Sequence, residues 1–274
     1  MLKQRLITAT VLIPLVVLSI LYLSTTIIQW LFALVAGLAA WEWFSIIGFT
    51  SRVKRLFAFV TLIFTTVIVT LLPVEILIIL VPLIWGLILL FIQHFAHTNL
   101  PKQVQSLFKQ ENVALIMATV VLALFWHSAV LLHASSELGP QQLLYAMVLV
   151  WLADTGGYFA GKRWGKRKLA KAISPNKTWE GVAGAVVLGS VWGLTAFYFD
   201  LAGSLGFIAW IVLSAATLLI SIVGDLFESL FKRCYQVKDS GNLLPGHGGM
   251  LDRIDSLIAA IPVFYAGLYF LGAS

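Results

Sequence analysis

Residues 74–93 read VEILIILVPLIWGLILLFIQ, twenty positions with one carboxylate, Glu75, at the start and no other charge. About 20 apolar residues in helical conformation are needed to cross the hydrocarbon core of a bilayer. A soluble strand would break sooner, and a soluble helix would show a polar face. This stretch is therefore read as a transmembrane helix, and the rest of the chain repeats the pattern.

Spans of this kind fall at about 6–24, 27–47, 55–72, 74–93, 112–134, 142–161, 179–199, 205–228 and 254–272. The expected fold is an all-α, polytopic membrane helix bundle of about nine transmembrane helices. Tight connections separate neighbours, as at Pro73, which cannot continue a helix without losing a hydrogen bond. Composition agrees: 60% of the 274 residues are hydrophobic and 11% charged, against about 25% charged in soluble domains. The mean hydropathy is +0.97. The first span follows the basic stretch Met1–Arg5 but has a long apolar run and no small-x-small cleavage site, so it reads as an anchor and not a removed leader.

The net charge of +6 does not indicate nucleic acid, because the cations are not spread over a soluble surface. With the N-terminus in the cytoplasm and nine alternating helices, all 18 lysines and arginines fall in cytoplasmic segments. The outer loops then hold only Glu75, Glu137 and Asp200 as charges. This is the positive-inside pattern, and it predicts a multi-pass inner-membrane protein with its polar machinery on the cytoplasmic side. The single Cys234 excludes an internal disulfide and reads as a small structural residue.

The halves differ. Residues 1–140 hold five spans with short loops and isolated polar groups such as His127 and His133, and read as a scaffold facing lipid. Residues 141–274 hold four spans and two long cytoplasmic loops rich in Gly, Pro, Lys, Asp and His, and read as the catalytic half. No internal repeat points to a carrier built from inverted halves.

The last loop and its flanks run SIVGDLFESLFKRCYQVKDSGNLLPGHGGMLDRIDS, 221–256. On a helix Asp225, Glu228, Ser229 and Lys232 share one face. Asp252 and Asp255 lie one turn apart at the start of the next span, where acids also serve as caps. Carboxylates at membrane depth are costly unless they face a polar cavity or a cation. Asp225 and Asp252, flanking one basic, glycine-rich loop, read as ligands of Mg2+, which takes one or two carboxylates and completes its shell with substrate phosphates. Lys232, Arg233, Lys238 and Arg253 supply cations. Gly246, Gly248 and Gly249 permit close approach of backbone N–H groups to a phosphate. His247 sits among those glycines, where a core histidine would be out of place.

The other loop runs WLADTGGYFAGKRWGKRKLAKAISPNKTWEG, 151–181. Asp154 and Tyr158 are one turn apart, and Gly157 and Gly161 offer small-xxx-small spacing for close helix contact. The run from Lys162 to Lys171 suits anchoring on anionic lipid. Ser174 or Asn176 can cap the following span, with Glu180 completing a capping box. The same cap would present N–H groups and the Lys177 charge to an anion, so cap and substrate contact both remain open.

Ser229, Lys232-Arg233, Lys238-Asp239, Gly241, Leu244-Pro245, His247-Gly248-Gly249, Asp252-Arg253 and Asp255 together resemble the signature of the phosphatidate cytidylyltransferases, or CDP-diacylglycerol synthases. The runs at 154–162 and 174–181 look like that family too, with Gly157 where alanine is frequent. The resemblance covers about 154–255 and is only topological before that. It implies attack of the phosphatidic acid phosphate on the α-phosphorus of CTP, with loss of pyrophosphate and a requirement for Mg2+, beside which some members carry a monovalent cation such as K+. On that basis Asp225 and Asp252 hold the metal, and Lys232, Arg233, Lys238 and Arg253 clamp phosphates. His247 meets the leaving pyrophosphate, and Asp154, Asp239 and Asp255 orient the cations or add to the metal shell. Tyr158, Ser174, Asn176, Lys177, Ser229, Gly248 and Gly249 are the expected substrate contacts. The partners expected are CTP, phosphatidic acid and the bilayer, with a homodimer through the glycine stripe and no nucleic acid. The rivals are a CTP-dependent polyprenol or phytol kinase and, from another class, a membrane carrier with Asp154, Asp225 and Glu228 along its path. A CDP-alcohol phosphotransferase lacks its DxxDG…D…D motif here.

Overall fold

Lipid offers a peptide group no hydrogen bond, so each apolar stretch must close its backbone on itself as a helix. The computed structural model, which describes residues 2–96, 98, 101–241, 243 and 248–273 and omits the side chains of 2–9 and 11, has that form. In chain order the elements are α1 (Leu2–Tyr22), α2 (Thr25–Ile47), α3 (Arg52–Leu71), α4 (Val74–Phe95), the short α5 (Lys102–Phe108), α6 (Glu111–Ala134) and α7 (Gly139–Trp164). There follow β1 (Lys168–Ala170), β2 (Ser174–Thr178), α8 (Trp179–Tyr198), α9 (Phe207–Cys234), α10 (Leu251–Ile254) and α11 (Leu257–Phe270). Each expected span has its helix, the last of them divided between α10 and α11. Among the described residues eight helices are long and apolar enough to cross a membrane, and the described apolar part of α1 is Leu12–Tyr22. The architecture is that of a multi-pass membrane protein.

Helix ends follow local chemistry. Pro73 precedes α4. The Ser51 hydroxyl accepts from Lys54 N at the start of α3. Gly48 ends α2 in the left-handed region at φ 95°, which glycine adopts without a Cβ penalty. The α6 and α11 helices are the most enclosed, whereas α3 turns Leu56, Val60, Ile63 and Phe64 outward as a lipid-facing surface fits.

The glycine stripe is used within the chain. A Cβ on Gly156 would stand 2.5 Å from Gly184 O, and one on Gly181 would stand 2.9 Å from Gly157 O. The stripe thus brings α7 against α8 within the chain.

One departure from an all-helical reading is the antiparallel hairpin β1–β2, pairing Lys168 with Thr178 and Ala170 with Ser174. It changes the expected cap. Ser174 and Asn176 lie in a strand, too far upstream to reach the first turn of α8. Thr178 is the N-cap, its hydroxyl accepting from Gly181 N at 3.1 Å. Glu180 accepts from Lys166 N (3.1 Å) and Arg167 N (3.2 Å), closing the loop onto the helix where a capping box was expected.

The basic connections meet at one end of the bundle. Ala172 N donates to Ala96 O, tying the hairpin to the end of α4. Tyr235, just past α9, donates to Phe108 O at 2.9 Å. Burial pushes this phenol up to about 12, so it stays a neutral donor. Lys54 pairs with Glu111 across 2.6 Å. At the same end Trp43 of α2 packs on Phe231 and Phe227 of α9, with ring centroids 5.3 and 6.1 Å apart.

Candidate active site

The helical spacing from Asp225 to Lys232 puts Asp225, Glu228, Ser229 and Lys232 on one face of α9, near its polar end. Ser229 Oγ donates to Asp225 Oδ1 at 3.2 Å, one turn back. Lys232 Nζ lies 2.5 Å from Glu228 Oε2 and 2.7 Å from Asp252 Oδ1. That single ammonium joins α9 to α10 and offsets two carboxylates that would otherwise repel. Asp225 Oδ2 receives Lys177 Nζ at 2.6 Å, which brings in strand β2.

Asp252 is held from several sides. Its Oδ2 accepts from Gly249 N (3.0 Å) and Ser240 N (3.1 Å), while Oδ1 faces Lys232. Asp255 lies at the break between α10 and α11, and its carboxylate accepts from Ser256 N. The break sits against Gly224: a Cβ there would stand 2.5 Å from Asp255 O and 2.9 Å from the Ala259 side chain. The absent side chain at Gly224 thus lets the Asp255 turn approach the residue next to Asp225. The charges of Asp225, Glu228, Asp154 and Lys177 all act on Asp255, and Asp154 interacts with Asp225, Lys177 and Arg253.

One charge cluster therefore gathers Asp154 from α7, Lys177 from β2, Asp225, Glu228 and Lys232 from α9, and Asp252, Arg253 and Asp255 from the α10–α11 turn. Fully ionised, its five carboxylates and three cations leave two negative charges uncompensated. The donor set is oxygen only, which suits a hard cation. Glu228 is 1% exposed, and its Oε1 has no hydrogen-bond partner. Among the described residues no three acidic, His or Cys side chains converge on one point. Mg2+ commonly takes one or two carboxylates and completes its shell with waters and substrate oxygens. The residues present fit Mg2+.

The remaining expected residues differ in setting. Arg233, beside Lys232, donates to Ile173 O at 3.3 Å and anchors the hairpin. Tyr158 is 60% exposed and lies beneath Lys162, whose Nζ reaches its hydroxyl at 3.3 Å. Asn176, Lys238 and Asp239 are exposed, and Ser174 is half-buried in its strand. His247 and Gly246 lie outside the described residues. Gly248 has φ +82°, and a Cβ on it would stand 3.0 Å from Asp252 Oδ2. The Gly249 N–H is committed to Asp252, so it is not a free phosphate donor.

Sequence reasoning missed Glu42, on α2. It is 5% exposed, and its Oε2 accepts from Leu251 N at 2.9 Å and Ser240 Oγ at 3.0 Å. The one signal available was a carboxylate within an apolar span, in the triplet Trp41-Glu42-Trp43. Glu228 and Gly224 were legible as neighbours of Asp225 but gave no local sign of their roles. An open hollow of about 550 Å³ lined by Arg167, Lys168, Trp179, Glu180 and Ala183 lies beside the hairpin. None of the clustered carboxylates lines it.

Comparison with known proteins bears on what this cluster does. The model of the cytidylyltransferase family matches residues 3–271. A phosphatidate cytidylyltransferase of Pseudomonas aeruginosa is 39% identical over 273 residues, covering 99% of this chain and 98% of that protein. Proteins of the same name from Haemophilus influenzae and Bacillus subtilis are 52% identical over 131 residues and 43% over 166. Those matches cover 47% and 59% of this chain, and 45% and 60% of the respective relatives.

Proposed function

The chain belongs to the cytidylyltransferase family, and from that membership we propose that it transfers CMP from CTP to phosphatidate, giving CDP-diacylglycerol and pyrophosphate. A phosphate oxygen of phosphatidate forms a bond to the α-phosphorus of CTP. The bond from that phosphorus to the bridging oxygen breaks, and pyrophosphate leaves with the electron pair. The attacking oxygen is already anionic, so no strong general base is needed. What remains for the protein is positioning and neutralisation of charge.

The observation that supports this most directly is the meeting of Lys177, Asp225, Lys232 and Asp252 from two loops that are far apart in sequence. Lys177 and Lys232, each oriented by a carboxylate, are the cations placed to receive phosphate charge, with Arg253 beside them. Asp225 and Asp252, with Glu228 adjacent, are the residues that would hold Mg2+. Bound there, the ion would offset charge building on the transferred and leaving phosphates. Asp154 and Asp255 set the field around these groups. Arg233 holds the hairpin, and through it Lys177, against α9.

Placement at one end of the bundle suits the two substrates. The acyl chains of phosphatidate leave a bilayer at a cost of about 0.8 kcal/mol per CH2, while CTP stays in water. The reaction is assigned to the cytoplasmic face of the inner membrane, because the basic loops gather at the end that carries the cluster.

The test uses radiolabelled CTP, phosphatidic acid and Mg2+ with the full chain in detergent micelles. The native protein forms a labelled CDP-lipid, and Asp225→Asn and Asp252→Asn lose it. A phosphorylated alcohol as product would indicate a kinase. Solute uptake into proteoliposomes without any nucleotide lipid would indicate a carrier.

A further inference from the structure

Glu42 lies within an apolar span, where a carboxylate is expensive unless something uses it. On either side α2 is committed to helix contacts: Trp43 packs on α9, and Trp41 lies under the Arg55 guanidinium, 3.8 Å from ring centroid to Cζ. Glu42 instead reaches out of its own half of the chain. Its Oε2 takes hydrogen bonds from the Ser240 hydroxyl, 198 residues away, and from the Leu251 amide, 209 residues away.

Gly241 and Gly249 lie close against this carboxylate. A Cβ on Gly241 would stand 2.5 Å from Glu42 Oε1, and one on Gly249 would collide with Oε2 and with the Ser240 hydroxyl. Two glycines of the glycine-rich segment are therefore accounted for by Glu42 and not by a phosphate. The Ser240 hydroxyl also accepts from Asp252 N at 3.3 Å, and Ser240 N donates to Asp252 Oδ2 at 3.1 Å. A continuous hydrogen-bonded path thus runs from Glu42 through Ser240 to Asp252, and from Asp252 to Lys232.

We propose that Glu42 is a positioning residue for nucleotide binding: as a buried hydrogen-bond acceptor it fixes Ser240 and Leu251, and through them Asp252, in the arrangement that receives the CTP triphosphate. This rests on the cytidylyltransferase reading above. It assigns to the first half of the chain a part in the site that the loop sequences alone do not show. Glu42 acts through Ser240 and Asp252 and does not itself touch substrate. Its oxygen matters as an acceptor, so glutamine, which keeps a carbonyl at that reach, should substitute for it, and alanine should not.

The experiment measures initial rates of the full chain in mixed micelles, varying CTP at saturating phosphatidic acid and then the reverse. The proteins are the native form, Glu42→Gln, Glu42→Ala, Ser240→Ala and the double Glu42→Ala/Ser240→Ala. Leaving two buried donors unpaired is expected to raise the CTP KM of Glu42→Ala about tenfold or more, with the phosphatidic acid KM within about twofold of native. Glu42→Gln restores the CTP KM to within about threefold. Ser240→Ala raises it as well, and the double variant is no worse than Glu42→Ala, because the two act on one path. The thermal stabilisation that CTP gives the native protein is lost in Glu42→Ala.

A native CTP KM in Glu42→Ala overturns the proposal, as does an equal rise in both KM values or glutamine performing no better than alanine. Should Glu42→Ala fail to fold, Glu42→Gln and Ser240→Ala decide: a native CTP KM in Ser240→Ala rules the path out. A native protein that makes no CDP-lipid removes the cytidylyltransferase reading itself, which is a different result from a native protein that is active and insensitive at Glu42.

Discussion

Lys177 Nζ lies 2.6 Å from Asp225 Oδ2, so the hairpin and the acidic face of α9 meet in one ion pair. Both side chains are about a quarter exposed, so the pair is accessible and its cation can exchange partners. If Lys177 carries phosphate charge during transfer, Lys177→Met lowers kcat by about a hundredfold, the scale of losing one preorganised charge contact. A kcat near native would reduce Lys177 to an anchor for the hairpin.

Metal removal tests the oxygen donor set. Chelation with EDTA should abolish CDP-lipid formation, and added Mg2+ should restore it. In Asp252→Asn any residual rate should need at least about tenfold more Mg2+ for half its maximum, since one charged ligand is gone. Full activity in excess EDTA would refute the metal assignment.

Gly224 tests the approach of α9 to the Asp255 turn. Gly224→Ala places a methyl group 2.5 Å from a backbone oxygen, and overfilling a well-packed contact typically costs about 1–3 kcal/mol. We expect a lower melting temperature and a fall in kcat together, because the displaced turn carries Asp252 and Asp255. Gly37→Ala and Gly86→Ala, with nothing within 4 Å of the new methyl group, should be neutral. Equal behaviour of all three would show that the close approach at Gly224 does not matter.

The cap of α8 separates Thr178 from Ser174. Thr178→Ala loses the bond to Gly181 N and should cost about 1 kcal/mol of stability, read as an earlier thermal transition in detergent. Ser174→Ala should leave the transition where it is. The reverse order would restore the cap expected from sequence.

Orientation can be read with a membrane-impermeant thiol reagent in a Cys234→Ser background. On the proposed orientation, Asp200→Cys, between α8 and α9, should label in intact cells, and Lys168→Cys, on β1, only after permeabilisation. Labelling of Lys168→Cys in intact cells would invert the assigned topology.

The acidic residues of α9 and of the α10–α11 turn were legible in sequence because their helical spacing and the glycine-rich loop between them are local. Glu228 was placed on the correct face, but its burial against Lys232 was not visible. The hairpin was hidden because Lys168–Thr178 reads as a basic loop. Arg233 illustrates the same limit: it is adjacent to Lys232 in sequence, yet one step around a helix sends it to Ile173.

By itself the sequence determined that the chain is a multi-pass membrane helix bundle and about where its apolar spans lie. A bilayer forces every apolar stretch to satisfy its own backbone, so run length and charge placement are enough. Only the tertiary structure decided which spans stand side by side. It brought Glu42 to Ser240, Lys177 to Asp225 and the Asp255 turn to Gly224, because contacts between helices depend on side-chain shape across distances that no local pattern encodes.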